Sequence, residues 1–100
     1  MADDVQIGDV GRVVEFGKLV DYEGRIQVLM ALHREGPASA YALHKAGIGN
    51  LADLHYHCRK LVEFGAARAG ARDDGIRRSY ELSDYGRNCL RAAAIIGKKP

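Results

Sequence analysis

The chain has 100 residues, 47% hydrophobic and 28% charged, with a formal net charge of +2, which fits one small globular domain and excludes a disordered chain. No apolar run approaches the roughly 20 residues that span a bilayer, and Met1-Ala2-Asp3-Asp4 lacks the basic and apolar regions of a signal peptide. Cys58 and Cys89 stand in no metal or redox spacing and read as reduced thiols of a cytoplasmic protein.

Residues 1–8 show no periodicity and read as a tail. From Asp9 to Val20, apolar groups at Val10, Val13, Val14 and Leu19 or Val20 have roughly helical spacing, interrupted by Gly11 and Gly17. The chain thus divides into an arm or short helix over 1–20 and a main unit over 21–100. Within Arg25–Glu35, the stripe Ile26, Val28, Leu29 and Leu32 predicts the first core helix, stopped by Gly36-Pro37. Ser39 is placed to cap a short second helix over Ala40–Ala46, anchored by Leu43 and closed by Gly47. Gly47-Ile48-Gly49 makes a turn. Asn50 then caps a third helix, with Asp53 as its reciprocal partner and as an acid suited to the positive end of the helix dipole. Leu51, Leu54, Cys58, Leu61 and Val62 share one face of that helix, which ends at Glu63-Phe64-Gly65.

The period then changes. Ala67, Ala69 and Ala71 alternate with Arg68, Gly70 and Arg72; Asp73-Asp74-Gly75 is a hairpin turn; Ile76 and Ser79–Leu82 read as the return strand. Ser83 caps a last helix whose apolar side is Tyr85, Leu90, Ala93, Ala94 and Ile96, with Lys98-Lys99 at its negative end. The order helix, helix, tight turn, helix, hairpin, helix predicts an α+β, mostly helical domain: a winged helix-turn-helix with a three-helix core, a two-stranded β-hairpin wing and a C-terminal helix. Residues 1–23 carry two basic and six acidic groups, whereas residues 24–100 carry thirteen basic and seven acidic. A basic body behind an acidic head points to a polyanionic partner for the body.

An exposed helix with a basic hairpin beside it suits double-stranded DNA, the helix in the major groove and the wing on the backbone or in the minor groove. With Leu54, Cys58 and Leu61 inward, the helical turn of about 100° per residue puts Ala52, Tyr56, Arg59, Lys60 and Glu63 outward. The base-reading candidates are Asn50, Ala52, Asp53, His55 and Tyr56. Ser39, Arg59, Lys60, Arg68, Arg72, Arg77 and Arg78 complete the DNA-binding set, chiefly toward phosphate. Strand alternation implies that only one of Arg77 and Arg78 faces the duplex. Asp73 and Asp74 at the tip oppose its deep insertion.

Arg25-Ile26-Gln27-Val28-Leu29, Gly36-Pro37-Ala38-Ser39 and the run Leu54-His55-Tyr56-His57-Cys58-Arg59-Lys60-Leu61-Val62-Glu63-Phe64-Gly65 resemble winged-helix regulators of the ArsR-like, PadR-like and MarR-like kind. Tyr80-Glu81-Leu82-Ser83-Asp84-Tyr85-Gly86 resembles their wing-to-helix junction. Cys58 stands where such proteins usually carry leucine, and the turn before the recognition helix is about one residue longer. The resemblance covers about residues 22–92 and implies a cytoplasmic, nucleoid-associated, dimeric, promoter-binding protein, often a repressor.

Dimerisation is expected through the C-terminal helix, with Leu90, Ala92–Ala94, Ile95 and Ile96, and through the Val10–Val20 segment. A metal- or redox-sensing repressor is one alternative, since His55, His57 and Cys58 cluster and Cys89 or His44 could join them. Against it, His55 and His57 lie about 200° apart on a helix, and the Cys-x-Cys pair of such sensors is absent. A winged helix used for protein–protein contact is the other alternative. Phosphate-loop, nucleophile-elbow and zincin motifs are all lacking, so no enzyme, cofactor or metal is expected.

Overall fold

Side-chain caps and left-handed glycines set where each element begins and ends. The computed structural model describes residues 5–72 and 77–98. Residues 1–4 of the expected tail, the Asp73-Asp74-Gly75 turn, Ile76 and Lys99 lie outside the described residues. Helix α1 (Val10–Leu19) starts where the Asp9 carboxylate accepts a hydrogen bond from the Arg12 backbone N–H at 3.1 Å. Helix α2 (Glu23–Glu35) ends at Gly36, whose φ of +85° is a left-handed backbone that a side chain would strain. Strand β1 (Ala38–Ser39) leads into α3 (Ala40–Lys45), capped by Ser39 Oγ, which accepts from the Ala42 N–H at 3.0 Å. The chain turns at Gly47, and the Ile48 N–H returns to the Leu43 carbonyl at 3.0 Å.

Helix α4 (Leu51–Glu63) is capped by Asn50, whose side chain accepts from the Asp53 N–H at 2.8 Å and donates to the Asp53 carboxylate at 2.7 Å. Strands β2 (Ala67–Arg72) and β3 (Arg78–Leu82) follow, then α5 (Asp84–Ile96), capped by Ser83. The sheet has three antiparallel strands in the order β1-β3-β2, not the two expected, because Ala38 and Ser39 pair with Tyr80 and Ser79 on the free edge of β3. A two-residue strand has no period to read. No helix among the described residues is long and apolar enough to cross a membrane.

The core lies between α2, α3, α4, the sheet and the first half of α5. Val28, Leu29, Leu32, Leu43, Leu54, Cys58 and Leu61 fill it, with Leu19 from α1, Leu82 from β3 and Cys89 from α5. A fully buried leucine contributes about 1.5–3 kcal/mol by leaving water. Two expectations need correction. Arg25 is 3% exposed and occupies the core stripe of α2, while Ile26 lies at the margin. On α5 the buried positions are Gly86 and Cys89, whereas Leu90 and Ala93 are half-buried and Ala94 and Ile96 exposed. The rotation is set at the start of the helix, where Gly86 lies against the Ala66 carbonyl.

Candidate nucleic-acid interface

Core packing decides what α4 shows to solvent. Leu54, Cys58 and Leu61 turn inward, so Ala52, Asp53, His55, Tyr56 and Arg59 are exposed and Lys60 is half-exposed. Tyr56 is surrounded by cations: Lys60 Nζ at 5.7 Å from the ring centroid, and the Arg59 and Arg25 guanidiniums each at 5.8 Å. Lys60 also meets Glu63 at 3.4 Å, an exposed pair worth little on its own. Asn50 uses both side-chain groups on Asp53, so the two form one capping unit at the entry of the helix.

Between this helix pair and the wing runs a cleft. Ser39, Ala40 and Tyr41 from β1 and α3 line one side, Leu51 and His55 from α4 another, and Arg72, Arg77, Arg78 and Tyr80 the wing side. Both Arg77 and Arg78 line it, contrary to the alternation expected of them. Arg77 lies in the bend before β3 begins, and the β2–β3 register shifts between Ala69 and Arg72, so the two-residue period does not carry through. The Arg77 guanidinium lies 3.9 Å from the centroid of the Tyr41 ring. Burial pushes the Tyr80 phenol up, leaving a neutral hydroxyl in the cleft wall.

Two of the expected contacts are engaged in other ways. Arg68 pairs with Glu81 at 3.5 Å and is not part of the cleft wall. Ser39 is buried, and its hydroxyl serves the α3 cap. Two residues were missed. Tyr41 looked like one more residue of an alanine-rich helix. Arg25 stands outside the predicted stripe of Ile26, Val28, Leu29 and Leu32, yet Arg25, Val28, Leu29 and Leu32 have the i, i+3, i+4, i+7 spacing of a buried stripe. Its guanidinium donates to the Lys18 carbonyl at 3.0 Å and lies 4.5 Å from the Tyr22 ring and 5.4 Å from Phe64. These contacts replace a carboxylate partner for a charge that burial would otherwise penalise.

The histidines and cysteines do not converge. Among the described residues, no group of three His, Cys, Asp or Glu side chains is placed to hold a metal ion. His55 faces the cleft, whereas His57 lies between the Tyr22 and Tyr56 rings. Burial pushes the Cys58 thiol up to about 12. A thiol kept protonated is a poor nucleophile and metal ligand.

No family model matches the chain, and no curated protein sequence does. Solved structures do. The homodimeric winged helix-turn-helix DNA-binding domain of a possible ArsR-family transcriptional regulator from Mycobacterium bovis is 25% identical, with a TM-score of 0.65 over 96% of this chain and 86% of its own. The antimony-specific transcriptional repressor AntR is 22% identical, with a TM-score of 0.71 over 95% of this chain and 86% of its own. Apo MarR from Escherichia coli is 17% identical, with a TM-score of 0.70 over 94% and 80%. The chain has the winged helix-turn-helix fold that it shares, over most of its length, with these MarR- and ArsR-type transcriptional regulators.

Proposed function

We propose that the chain is a sequence-specific, double-stranded-DNA-binding transcriptional regulator, a repressor that acts as a dimer. Helix α4 enters the major groove, and the β2–β3 wing follows the backbone or the neighbouring minor groove. The observation that carries this reading is the cleft in which Arg72, Arg77 and Arg78 of the wing face the N-terminal half of α4. Ala52, His55 and Tyr56 present an exposed, largely uncharged surface to base edges, and Arg59 and Lys60 follow it toward phosphate. Asn50 and Asp53 contribute mainly by holding the helix entry. Arg68 acts at longer range, because Glu81 offsets its charge.

Dimerisation is proposed through α1 and α5. Val10, Val13, Val14, Ile95 and Ile96 are exposed there. The structurally similar Mycobacterium bovis domain is itself homodimeric.

Fluorescence anisotropy with a random-sequence duplex, titrated over several salt concentrations, tests the reading. We expect affinity to fall as salt rises, with a log–log slope of about 0.9 per neutralised phosphate. Replacing Arg72 or Arg78 by alanine should lower that slope by about one contact. Absence of binding at about 50 mM salt would overturn the proposal and favour a protein-interaction role.

A further inference from the structure

Tyr56 stands in the N-terminal half of α4, on the face that the core leaves outward, and is 39% exposed. Three cations approach its ring. Lys60 Nζ lies 5.7 Å from the centroid and the Arg59 guanidinium 5.8 Å, both from α4 itself. The third is the Arg25 guanidinium, which comes from α2, also at 5.8 Å. The three are not equivalent. Arg59 is exposed and Lys60 half-exposed, so each can swing away on a long, flexible side chain. Arg25 is 3% exposed and cannot. Its Nη1 donates to the Lys18 carbonyl at 3.0 Å, and the Tyr22 and Phe64 rings lie 4.5 Å and 5.4 Å from its guanidinium. The His57 ring also meets the Tyr56 ring, edge to face at 5.7 Å.

We propose that Arg25 is a positioning residue for sequence recognition: it holds the Tyr56 ring from within the fold, so that the ring keeps one orientation toward base edges when the outer cations leave it for phosphate. This rests on the DNA-binding reading above, with Tyr56 among the base-contacting side chains. A phosphate oxygen competes well for Arg59 and Lys60, because a charge-assisted hydrogen bond is stronger than an exposed cation–π contact. The buried guanidinium has no route to a phosphate and stays with the ring. A ring that is fixed before binding loses less side-chain freedom in the complex. The proposal also gives the buried cation a use. An apolar side chain in the stripe of Val28, Leu29 and Leu32 would fill the core without the desolvation cost of a charge.

The test uses a duplex that the wild type selects from a random-sequence pool. Affinity and its salt dependence are measured for the wild type, Arg25→Met, Arg25→Gln, Tyr56→Ala and each Arg25 variant combined with Tyr56→Ala, with urea unfolding as the check that each protein folds. Arg25→Met removes the cation and keeps much of the bulk. Arg25→Gln removes the cation but keeps a donor for the Lys18 carbonyl, and reports if the methionine variant does not fold. We expect both Arg25 variants to bind about two- to fivefold more weakly, the range of an exposed cation–π contact. Their salt slopes should match the wild type, because no phosphate contact is lost. In the Tyr56→Ala background, either Arg25 substitution should cost nothing further. The inference falls while the DNA-binding reading stands if the folded Arg25 variants or Tyr56→Ala bind as the wild type does. It falls in the same way if the losses add in the double variants, because Arg25 would then act independently of Tyr56, or if the salt slope falls with affinity, because the whole helix would then have moved. If neither Arg25 variant folds, Arg25 serves the fold and the inference falls. Failure of the wild type to bind any duplex removes the DNA-binding reading and this inference with it.

Discussion

His57 is held where an imidazolium is unwelcome. Its ring lies 6.4 Å from Tyr22 and 5.7 Å from Tyr56, centroid to centroid. Gly24 opens the space: a Cβ there would stand 2.5 Å from His57 Nε2. Burial and, next, the Arg25 charge hold the His57 pKa below its ordinary 6.5, with Asp53 opposing them. The unfolded chain therefore takes up a proton near 6.5 that the folded chain resists. Stability is full above that pH and declines as pH falls through 6.5 toward the lower folded value. Urea unfolding between about pH 7.5 and pH 5 should show this decline in the wild type and a shallower one in His57→Gln. Equal declines in the two proteins would assign the effect to other groups.

At the scale of elements, the junction of the wing with α5 rests on three hydrogen bonds and one close backbone approach. The Ser83 hydroxyl donates to the Gly65 carbonyl at 2.6 Å and accepts from the Gly86 N–H at 3.0 Å, while the Ser83 N–H donates to the Ala66 carbonyl at 3.0 Å. Gly86 completes the contact, because a Cβ there would lie 1.9 Å from the Ala66 carbonyl oxygen. That neighbour is backbone and cannot swing aside, so Gly86→Ala should lose about 1–3 kcal/mol, the usual range for overpacking a tight site. A shift of the urea midpoint with an unchanged slope would show it; an unchanged midpoint would mean that α5 can lift from the sheet without loss. Such junctions also explain what could be read in advance. The caps at Ser39, Asn50 and Ser83 were legible because each stands directly before an apolar helical run, and the inward face of α4 was legible because Leu54, Cys58 and Leu61 keep one period. The rotation of α5 was not, since it depends on Gly86 meeting Ala66 across the junction. Nor was the Tyr41–Arg77 contact, which depends on side chains from separate elements meeting; Arg25 did carry the spacing of the buried stripe of α2, but its charge masked it. The cleft was legible only as a list of arginines, which did not separate Arg68, paired with Glu81, from the three that line it.

On the scale of the whole molecule, the described residues extend over 57 × 27 × 20 Å with a radius of gyration of 14.8 Å, above the roughly 13 Å of a compact 100-residue domain. Helix α1 is mostly exposed, with Leu19 its one buried residue and Phe16 packed against the core. Along α1, Val10, Val13 and Val14 are 65%, 49% and 51% exposed, and Ile95 and Ile96 at the far end of α5 are each 75% exposed. Isolated apolar residues on a surface need no partner, whereas several on each of two helices fit a surface that a second copy covers. A two-fold pairing that covers them would be isologous and would set two α4 helices toward half-sites about 34 Å apart. The proposed dimer therefore makes a joint prediction. The wild type should sediment as a dimer at micromolar concentration, and Val13→Glu/Val14→Glu should sediment as a folded monomer. The same double variant should bind a single half-site as the wild type does, yet lose the added affinity that the wild type shows for two half-sites in phase, because only a linked pair of helices gains from the second site. A wild type that stays monomeric throughout this range would overturn the dimer. A dimer that survives the double variant would place the interface away from α1 and leave α5 to carry it.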